Sequence, residues 1–142
     1  MRLSRMFVLT AALIVSSTMA CATEPTGTWL TQKGDARIRV ARCGKALCGT
    51  IVWIKDAVDP QTGKPPLDDQ NPDPAKRNRR IVGLRIFTMV ADAQGGWSGS
   101  IYNSDNGQTY TGKLLMRGAD ELQINGCAGA FCGGEAWRRV GK

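Results

Sequence analysis

Residues 97–116 read WSGSIYNSDNGQTYTGKLLM, and this stretch decides the fold. Its two halves flank Asp105-Asn106-Gly107, and such a turn sequence between strand-like segments is typical of a tight β-hairpin. In the second half, every other residue falls on one face: Tyr110, Gly112, Leu114 and Met116. That period of two indicates a half-buried strand, because successive side chains of a strand point to opposite faces. The stretch therefore predicts two antiparallel strands.

Segments of the same character lie on both sides of this hairpin. We expect strands at residues 28–30, 37–40, 50–54, 81–90, 121–125 and 136–140. Short strands joined by consecutive hairpins predict an all-β fold, a small antiparallel up-and-down β-barrel of about eight strands. The interior of so small a barrel holds packed side chains or one small ligand.

Residues 56–80 interrupt the strand pattern with five of the six prolines, several aspartates and a basic run at 76–80. A structureless loop of this length is unusual and tends to be functional or mobile. Asp69 and Asn71 are candidate ligand contacts here, or they bind the backbone of their own loop, as such residues do in turns. An EF-hand loop would need glycine and glutamate where this chain has proline and arginine, so no metal site is predicted.

The first 22 residues have the pattern of an export signal. A basic start precedes an apolar stretch at residues 6–15, and Ala-Cys-Ala at 20–22 suits signal-peptidase cleavage. The apolar stretch is too short to span a membrane. We therefore expect a signal peptide at residues 1–22, one barrel domain at 23–142 and a periplasmic location. The alternative makes Cys21 the lipidated first residue of a lipoprotein, which also exports the chain.

Composition excludes several kinds of chemistry. The chain has no histidine, which removes Ser-His-Asp and Cys-His nucleophiles and histidine general bases. The adjacent carboxyls of Asp68 and Asp69 lie in the proline-rich loop and make a poor fixed acid–base pair. We predict a protein that is not an enzyme and that has no cofactor. Its net charge is +7, and removal of the signal segment lowers this by two arginines.

Four cysteines of the expected mature chain form two C-x4-C pairs: Cys43 with Cys48, and Cys127 with Cys132. Exported chains oxidise such cysteines, and four cysteines allow three pairings. We expect the two local disulfides, because local pairing demands least of the fold. A crossed pairing and a four-cysteine zinc site remain the alternatives.

Several short motifs together are those of one known family. They are Cys43-x4-Cys48-Gly49, Leu67-Asp68-Asp69-Gln70-Asn71-Pro72, Trp97-x-Gly99, Ile101-Tyr102-Asn103, Tyr110-x-Gly112 and Trp137-x-Arg139-Val140. In these motifs the chain resembles the exported bacterial family catalogued as Domain of Unknown Function 2147, over almost all of residues 23–142. The resemblance implies the small barrel of lipocalins and fatty-acid-binding proteins, and it implies a fold and a compartment rather than a reaction.

Gly27-Thr28-Trp29 also looks like the Gly-x-Trp of the first lipocalin strand. In lipocalins a late arginine packs over that tryptophan and closes the barrel floor. The resemblance assigns this role to Arg138 or Arg139, through a cation–π contact with Trp29. The alternative is an ordinary core tryptophan.

The candidate ligand-binding residues are Trp53, Arg85, Trp97, Tyr102 and Tyr110 on strands, with Asp69 and Asn71 in the loop. Aromatic residues on the inner face of a barrel fill the core or line a pocket. Arg85 interrupts an apolar segment. If it faces inward, its charge requires an acidic ligand or an internal partner, and if it faces outward it has no such role.

These features predict a non-enzymatic periplasmic binding protein for a small apolar or amphipathic ligand, with an anionic ligand as one option. The alternatives are a protein–protein module, such as a protease-inhibitor-like barrel, and a structural envelope protein. We expect no nucleic-acid partner and no membrane span. The basic run at residues 76–80 offers contact with an anionic envelope surface.

Overall fold

The structure, a computed structural model, describes residues 24–142. The predicted signal peptide and Cys21 lie outside these residues. The strands are β1 (Gly27–Leu30), β2 (Ala36–Cys43), β3 (Ala46–Ile54), β4 (Arg85–Ala91), β5 (Trp97–Asn103), β6 (Gln108–Met116), β7 (Glu121–Ala128) and β8 (Phe131–Gly141). One 3-10 turn, Pro74–Lys76, lies between β3 and β4. The described residues include no helix long and apolar enough to cross a membrane.

Each strand pairs antiparallel with its neighbour in the chain, and β1 also pairs with β8, so that the sheet closes into a barrel. The predicted all-β, up-and-down barrel of about eight strands is therefore confirmed. The closing pairing is short, because β8 meets β1 only through Arg138, Arg139 and Gly141. Among the described strands, residues 131–137 of β8 pair with β7 alone.

The barrel has two different ends. The end that we call the closed end carries the N-terminal segment 24–26 and the turns at 44–45, 92–96 and 117–120. The end that we call the open end carries the loops at 31–35, 55–84, 104–107 and 129–130. Large side chains fill the half nearer the closed end: Trp29, Val40, Leu47, Met89, Trp97, Leu114 and Leu122. This packing makes that half a solid core.

Strand β4 begins at Arg85 rather than at residue 81, where the sequence pattern predicted it. Residues 81–84 form a turn, in which the Leu84 N–H donates to the Ile81 carbonyl at 3.1 Å. Gly83 has φ +98°, a conformation that glycine adopts without steric cost. The long loop is thus slightly longer than expected and ends on the buried Leu84.

Candidate ligand-binding site

A cavity of about 910 Å³ occupies the half of the barrel nearer the open end. The inward side chains that form its apolar wall are Ile38, Ile51, Ile54, Ile86, Ile101, Ile124 and Trp137. Pockets for single small molecules have volumes of about 300–1,000 Å³ and mostly apolar linings. The cavity is therefore large enough for one such molecule.

Glu135 places a carboxylate inside this apolar wall. It lies on β8 opposite Ile124, on the inward face that it shares with Trp137. The indole N–H of Trp137 donates to Glu135 Oε1. In the part of the chain that the structure describes, no lysine or arginine forms a salt bridge with Glu135. Of the charged residues that line the cavity, Glu135 alone lies on a strand; the others lie in loops.

The mouth of the cavity carries mainly negative charge. Its charged residues come from three loops: Lys33, Asp35, Asp56, Asp69 and Asp105. Within residues 24–142 none of them takes part in a salt bridge. The mouth thus has the opposite sign to the net charge of the chain, which is positive.

The long loop is held over the mouth by a buried carboxylate, that of Asp68. This residue is 0% exposed. Its Oδ1 accepts a hydrogen bond from the Tyr102 hydroxyl at 2.5 Å. Its Oδ2 accepts from Arg79 Nη2 at 2.7 Å and from Asn71 Nδ2 at 2.9 Å. Because Tyr102 belongs to β5, these bonds tie both arms of the loop to the barrel.

The same contacts set the protonation of the two groups. Burial by itself raises the pKa of Asp68, but the hydrogen bonds from Tyr102, Arg79 and Asn71 outweigh it and hold that pKa below its ordinary value of 3.8. Burial, followed by the hydrogen bond to Asp68, raises the pKa of Tyr102 above its ordinary value of 10.0. Asp68 is therefore a carboxylate and Tyr102 a donor at neutral pH.

The loop also rests on the β5–β6 turn, at Gly107. A side chain at this position would lie 1.9 Å from the Gln70 carbonyl oxygen, and φ is +70°. Both the close approach and the backbone conformation require glycine. The Gly107 of the predicted Asp-Asn-Gly turn thus also seats the loop.

Most of the basic run is engaged inside the loop. Lys76 pairs with Asp73 at 3.3 Å, and Arg79 pairs with Asp68. Arg77 Nε donates to a backbone carbonyl, that of Asn71, at 2.7 Å. The structure therefore gives this run an internal role, and contact with an anionic envelope surface stays a prediction.

The predicted site residues fall into three groups. Tyr110, Tyr102 and Asp69 line the cavity. Asn71 is buried in the group that it forms with Asp68, Arg79 and Tyr102, which we call the Asp68 cluster, and Trp97 lies in the core, 8% exposed. Trp53 and Arg85, in contrast, lie outside the cavity lining.

Trp53 lies on the outer wall because of a β-bulge. Arg37 pairs with Trp53 while Ile38 pairs with Ile51, so Val52 is an extra residue in β3. One extra residue moves the following side chain to the other face of a strand. The Trp53 ring stacks there beneath the Arg37 guanidinium, 4.8 Å from the ring centre.

A second bulge explains the position of Arg85. Gly49 pairs with Phe87 and Thr50 with Arg85, so Ile86 is the extra residue. Ile86 then lines the cavity, and Arg85 is exposed on the outer wall. The reason for expecting an anionic ligand, an inward Arg85, is thereby removed.

Sequence reasoning did not select Asp68 or Glu135. Asp68 was considered only as the neighbour of Asp69, and the signal that would have distinguished it is Asn71, three residues on in the same turn. Glu135 lies two residues before Trp137, so alternation along β8 places it on the inward face once Trp137 is placed there.

Arg139, rather than Arg138, lies over Trp29 at the closed end. Its guanidinium carbon is 4.2 Å from the centre of the Trp29 ring. Arg139 Nη1 donates to the Thr26 carbonyl at 2.6 Å and Nε to the Ala119 carbonyl at 2.7 Å. The Trp29 indole N–H donates to the Pro25 carbonyl at 2.8 Å. These contacts join β8 to the segment 24–26 and to the turn at 117–120 across the barrel floor.

The four cysteines form the two local disulfides, Cys43–Cys48 and Cys127–Cys132. This pairing leaves none of them as a thiolate for the alternative zinc site. Elsewhere in residues 24–142, no three acidic or cysteine side chains are grouped closely enough to hold a metal ion. Cys43–Cys48 lies towards the closed end and Cys127–Cys132 on the cavity wall.

An eight-stranded antiparallel barrel with a packed floor, an arginine over its first-strand tryptophan and a cavity at the other end defines a lipocalin-like protein. The chain is similar to a solved structure described as "Protein HP1028 from the human pathogen Helicobacter pylori belongs to the lipocalin family". The two are 19% identical, with a TM-score of 0.70 over 83% of this chain and 84% of that chain. This likeness shows the fold.

Residues 27–139 match the family described as "Uncharacterized protein conserved in bacteria (DUF2147)", and the chain belongs to that family. The resemblance seen in the sequence motifs is thereby confirmed. A comparison with curated proteins gives no match.

Proposed function

We propose that the protein is an exported, non-enzymatic binding protein that takes one small apolar or amphipathic ligand into the cavity at its open end. The observation that carries this proposal is the difference between the two halves of the barrel. One half is filled by tryptophan, leucine and methionine, while the other leaves a cavity of about 910 Å³ that is lined by isoleucines and by the loops at the mouth. Burial of an apolar group there gains about 25 cal/mol for each Å² removed from water.

Two further features support a binding role. The Asp68 cluster and the Cys127–Cys132 disulfide hold opposite sides of the mouth in place before any ligand arrives. A pre-organised site loses less entropy on binding than a mobile one. The two disulfides also suit an oxidising compartment outside the cytoplasm, as the predicted signal peptide requires.

Binding is tested with N-phenyl-1-naphthylamine, a neutral apolar probe whose fluorescence rises in apolar surroundings. We expect the wild-type protein to bind it, and Ile54→Trp, which fills the cavity, to weaken binding about tenfold or more. The matched control is Val52→Trp, because Val52 is 43% exposed and does not line the cavity. We expect that control to bind within about twofold of wild type.

Absence of probe binding to the folded protein, or equal weakening by both substitutions, would contradict the proposal. Native mass spectrometry of protein taken from its host extends the test to the natural ligand, which we expect as one small molecule for each chain. The protein–protein and structural alternatives stay predictions, and the large apolar side chains most exposed at the open end are Phe131 and Val58.

A further inference from the structure

We propose that the cavity selects amphipathic ligands with a cationic head, such as an alkylammonium ion, whose charge lies against Glu135 and the acidic mouth. This inference rests on the proposed function, since it names the class of ligand that the cavity takes. It reverses the anionic option that the sequence suggested.

Glu135 occupies an unusual position for a charged residue. A strand position that faces the interior of a barrel normally holds an apolar or small residue, and here it holds a carboxylate among isoleucines. Glu135 is half-buried, so its carboxylate has lost part of its contact with water, and this loss is costly unless the group is paired. The Trp137 indole supplies one hydrogen bond, whereas two carboxylate oxygens accept about four. A ligand ammonium group offers the missing donors and the opposite charge.

The mouth carries the second step. Asp35, Asp56, Asp69 and Asp105 surround the cavity against a single lysine, Lys33. A cleft lined by one sign of charge concentrates ligands of the opposite sign. A cation entering the cavity therefore meets attraction at the mouth and again at Glu135, whereas a carboxylate ligand is repelled at both places.

The distribution of charge over the whole barrel carries the third step. The chain is basic, but several of its arginines lie exposed on the outer wall or at the far end: Arg37, Arg39, Arg42, Arg85 and Arg138. The acidic mouth is thus a local feature and does not follow from the overall composition. Lys55, Lys64 and Arg80 belong to the open-end loop at 55–84 but do not line the cavity, whereas the four aspartates do.

The test compares three ligands that share one tail and differ in head: dodecylamine, dodecanol and dodecanoate. Each displaces N-phenyl-1-naphthylamine from the wild-type protein at pH 7, below its micelle concentration. We expect dodecylammonium to bind about tenfold more tightly than dodecanol, and dodecanoate to bind most weakly. Glu135→Gln is expected to weaken dodecylammonium about fivefold or more and to leave dodecanol unchanged.

The matched control is Glu121→Gln, because Glu121 lies on the paired strand β7 and is exposed outside the cavity. We expect it to leave all three affinities within about twofold of wild type. If Glu135→Gln does not fold, the salt dependence of the wild-type protein replaces it. Raising salt from about 50 mM to about 500 mM is expected to weaken dodecylammonium and to leave dodecanol unweakened.

The outcomes separate the two proposals. Equal binding of the three ligands, or stronger binding of dodecanoate, overturns the cationic selectivity and leaves the proposed function standing. Binding of dodecylammonium that neither Glu135→Gln nor salt weakens also overturns it. A folded protein that binds neither the probe nor any of the three ligands overturns both proposals.

Discussion

Asp68 shows how one side chain positions a segment of 30 residues, the loop at 55–84. Its carboxylate receives hydrogen bonds from Tyr102 on β5 and from Arg79 and Asn71 on the loop. Hydrogen bonds to a charged group contribute about 1.5–3 kcal/mol each. The free energy that docks the loop on the barrel is therefore concentrated at the buried carboxylate of Asp68 rather than spread along a hydrophobic face.

We expect Asp68→Asn to lower the free energy of unfolding by about 2–4 kcal/mol. The amide keeps the shape but loses the charge, and its single oxygen cannot accept all the hydrogen bonds that the two carboxylate oxygens accept from Tyr102, Arg79 and Asn71. Urea denaturation measures the loss. The control is Asp69→Asn, whose carboxylate is exposed and forms no salt bridge within residues 24–142, with an expected change under about 0.5 kcal/mol. Equal losses in the two variants would contradict the assigned role.

The lowered pKa of Asp68 also predicts a dependence on pH. A carboxyl whose pKa is lower in the folded chain stabilises the fold above its unfolded pKa, and that stability is lost as pH falls through the folded value. Unfolding free energy of the wild-type protein should therefore decline as pH falls below the ordinary value of 3.8. Asp68→Asn should show a shallower decline, whereas an identical slope would exclude this cause.

At the same scale, the sequence could not predict the direction of Trp53 and Arg85. Alternation of side chains along a strand assumes an uninterrupted ladder of hydrogen bonds. Trp53 directly follows the bulge at Val52, and Arg85 directly precedes the bulge at Ile86. A bulge is a property of the pairing with the neighbouring strand. Nothing in the segment 50–54 alone marks it.

Among the elements, the hairpins were predictable and the long loop was only partly so. Turn residues and alternation placed all eight strands, although β4 begins later than expected. The loop was recognisable from its prolines, but its order was not. That order comes from a 3-10 turn capped by Asp73 and from a bridge between Leu67 and Arg80. The cap is local, since Asp73 accepts from the Ala75 N–H, but the bridge joins the two arms of the loop, which local patterns do not show.

One disulfide lies on the cavity wall and the other near the closed end, so removing each in turn should show whether an effect on ligand affinity accompanies the effect on unfolding free energy. We expect Cys127→Ala/Cys132→Ala to lower the unfolding free energy by about 2 kcal/mol, as the chain-entropy account gives for so small a ring. It should also weaken probe binding several-fold, because Cys132 lines the cavity. Denaturation and fluorescence titration measure the two effects.

The matched variant is Cys43→Ala/Cys48→Ala, whose disulfide closes a ring of the same sequence separation near the closed end. A comparable loss of stability is expected there, with probe affinity within about twofold of wild type. Binding weakened equally by both pairs of substitutions would mean that the mouth does not depend on the second disulfide.

For the whole molecule, closure of the barrel followed from the sequence, but the cavity did not. Consecutive hairpins favour a closed sheet, and the likeness of Gly27-Thr28-Trp29 to the lipocalin motif implies the same. Whether its interior is solid depends on which inward positions meet at one level of the barrel. Near the floor these positions hold Trp29, Trp97 and Leu122, whereas near the mouth isoleucines meet Gly126. Such summed volumes emerge only in three dimensions.

The floor of the barrel provides a prediction at this scale. Arg139→Lys keeps the charge but loses the planar group that covers Trp29 and donates to two carbonyls. We expect a loss of about 1–3 kcal/mol in unfolding free energy, measured by urea denaturation. The neighbouring Arg138→Lys, on the exposed face of β8, should change it by under about 0.5 kcal/mol. A larger loss of unfolding free energy in Arg138→Lys than in Arg139→Lys would mean that Arg138 closes the barrel floor.

The short pairing between β1 and β8, which we call the seam, also affects the order in which the strands pair during folding. Every other strand pair joins neighbours in the chain, whereas Arg139 and Thr26 are separated by 113 residues. Ends so distant lose the most chain entropy when they meet, so this seam should form after the transition state. In stopped-flow experiments Arg139→Lys should therefore accelerate unfolding about tenfold and leave the refolding rate nearly unchanged. Slower refolding of Arg139→Lys would instead mean that the β1–β8 pairing already forms in the folding nucleus.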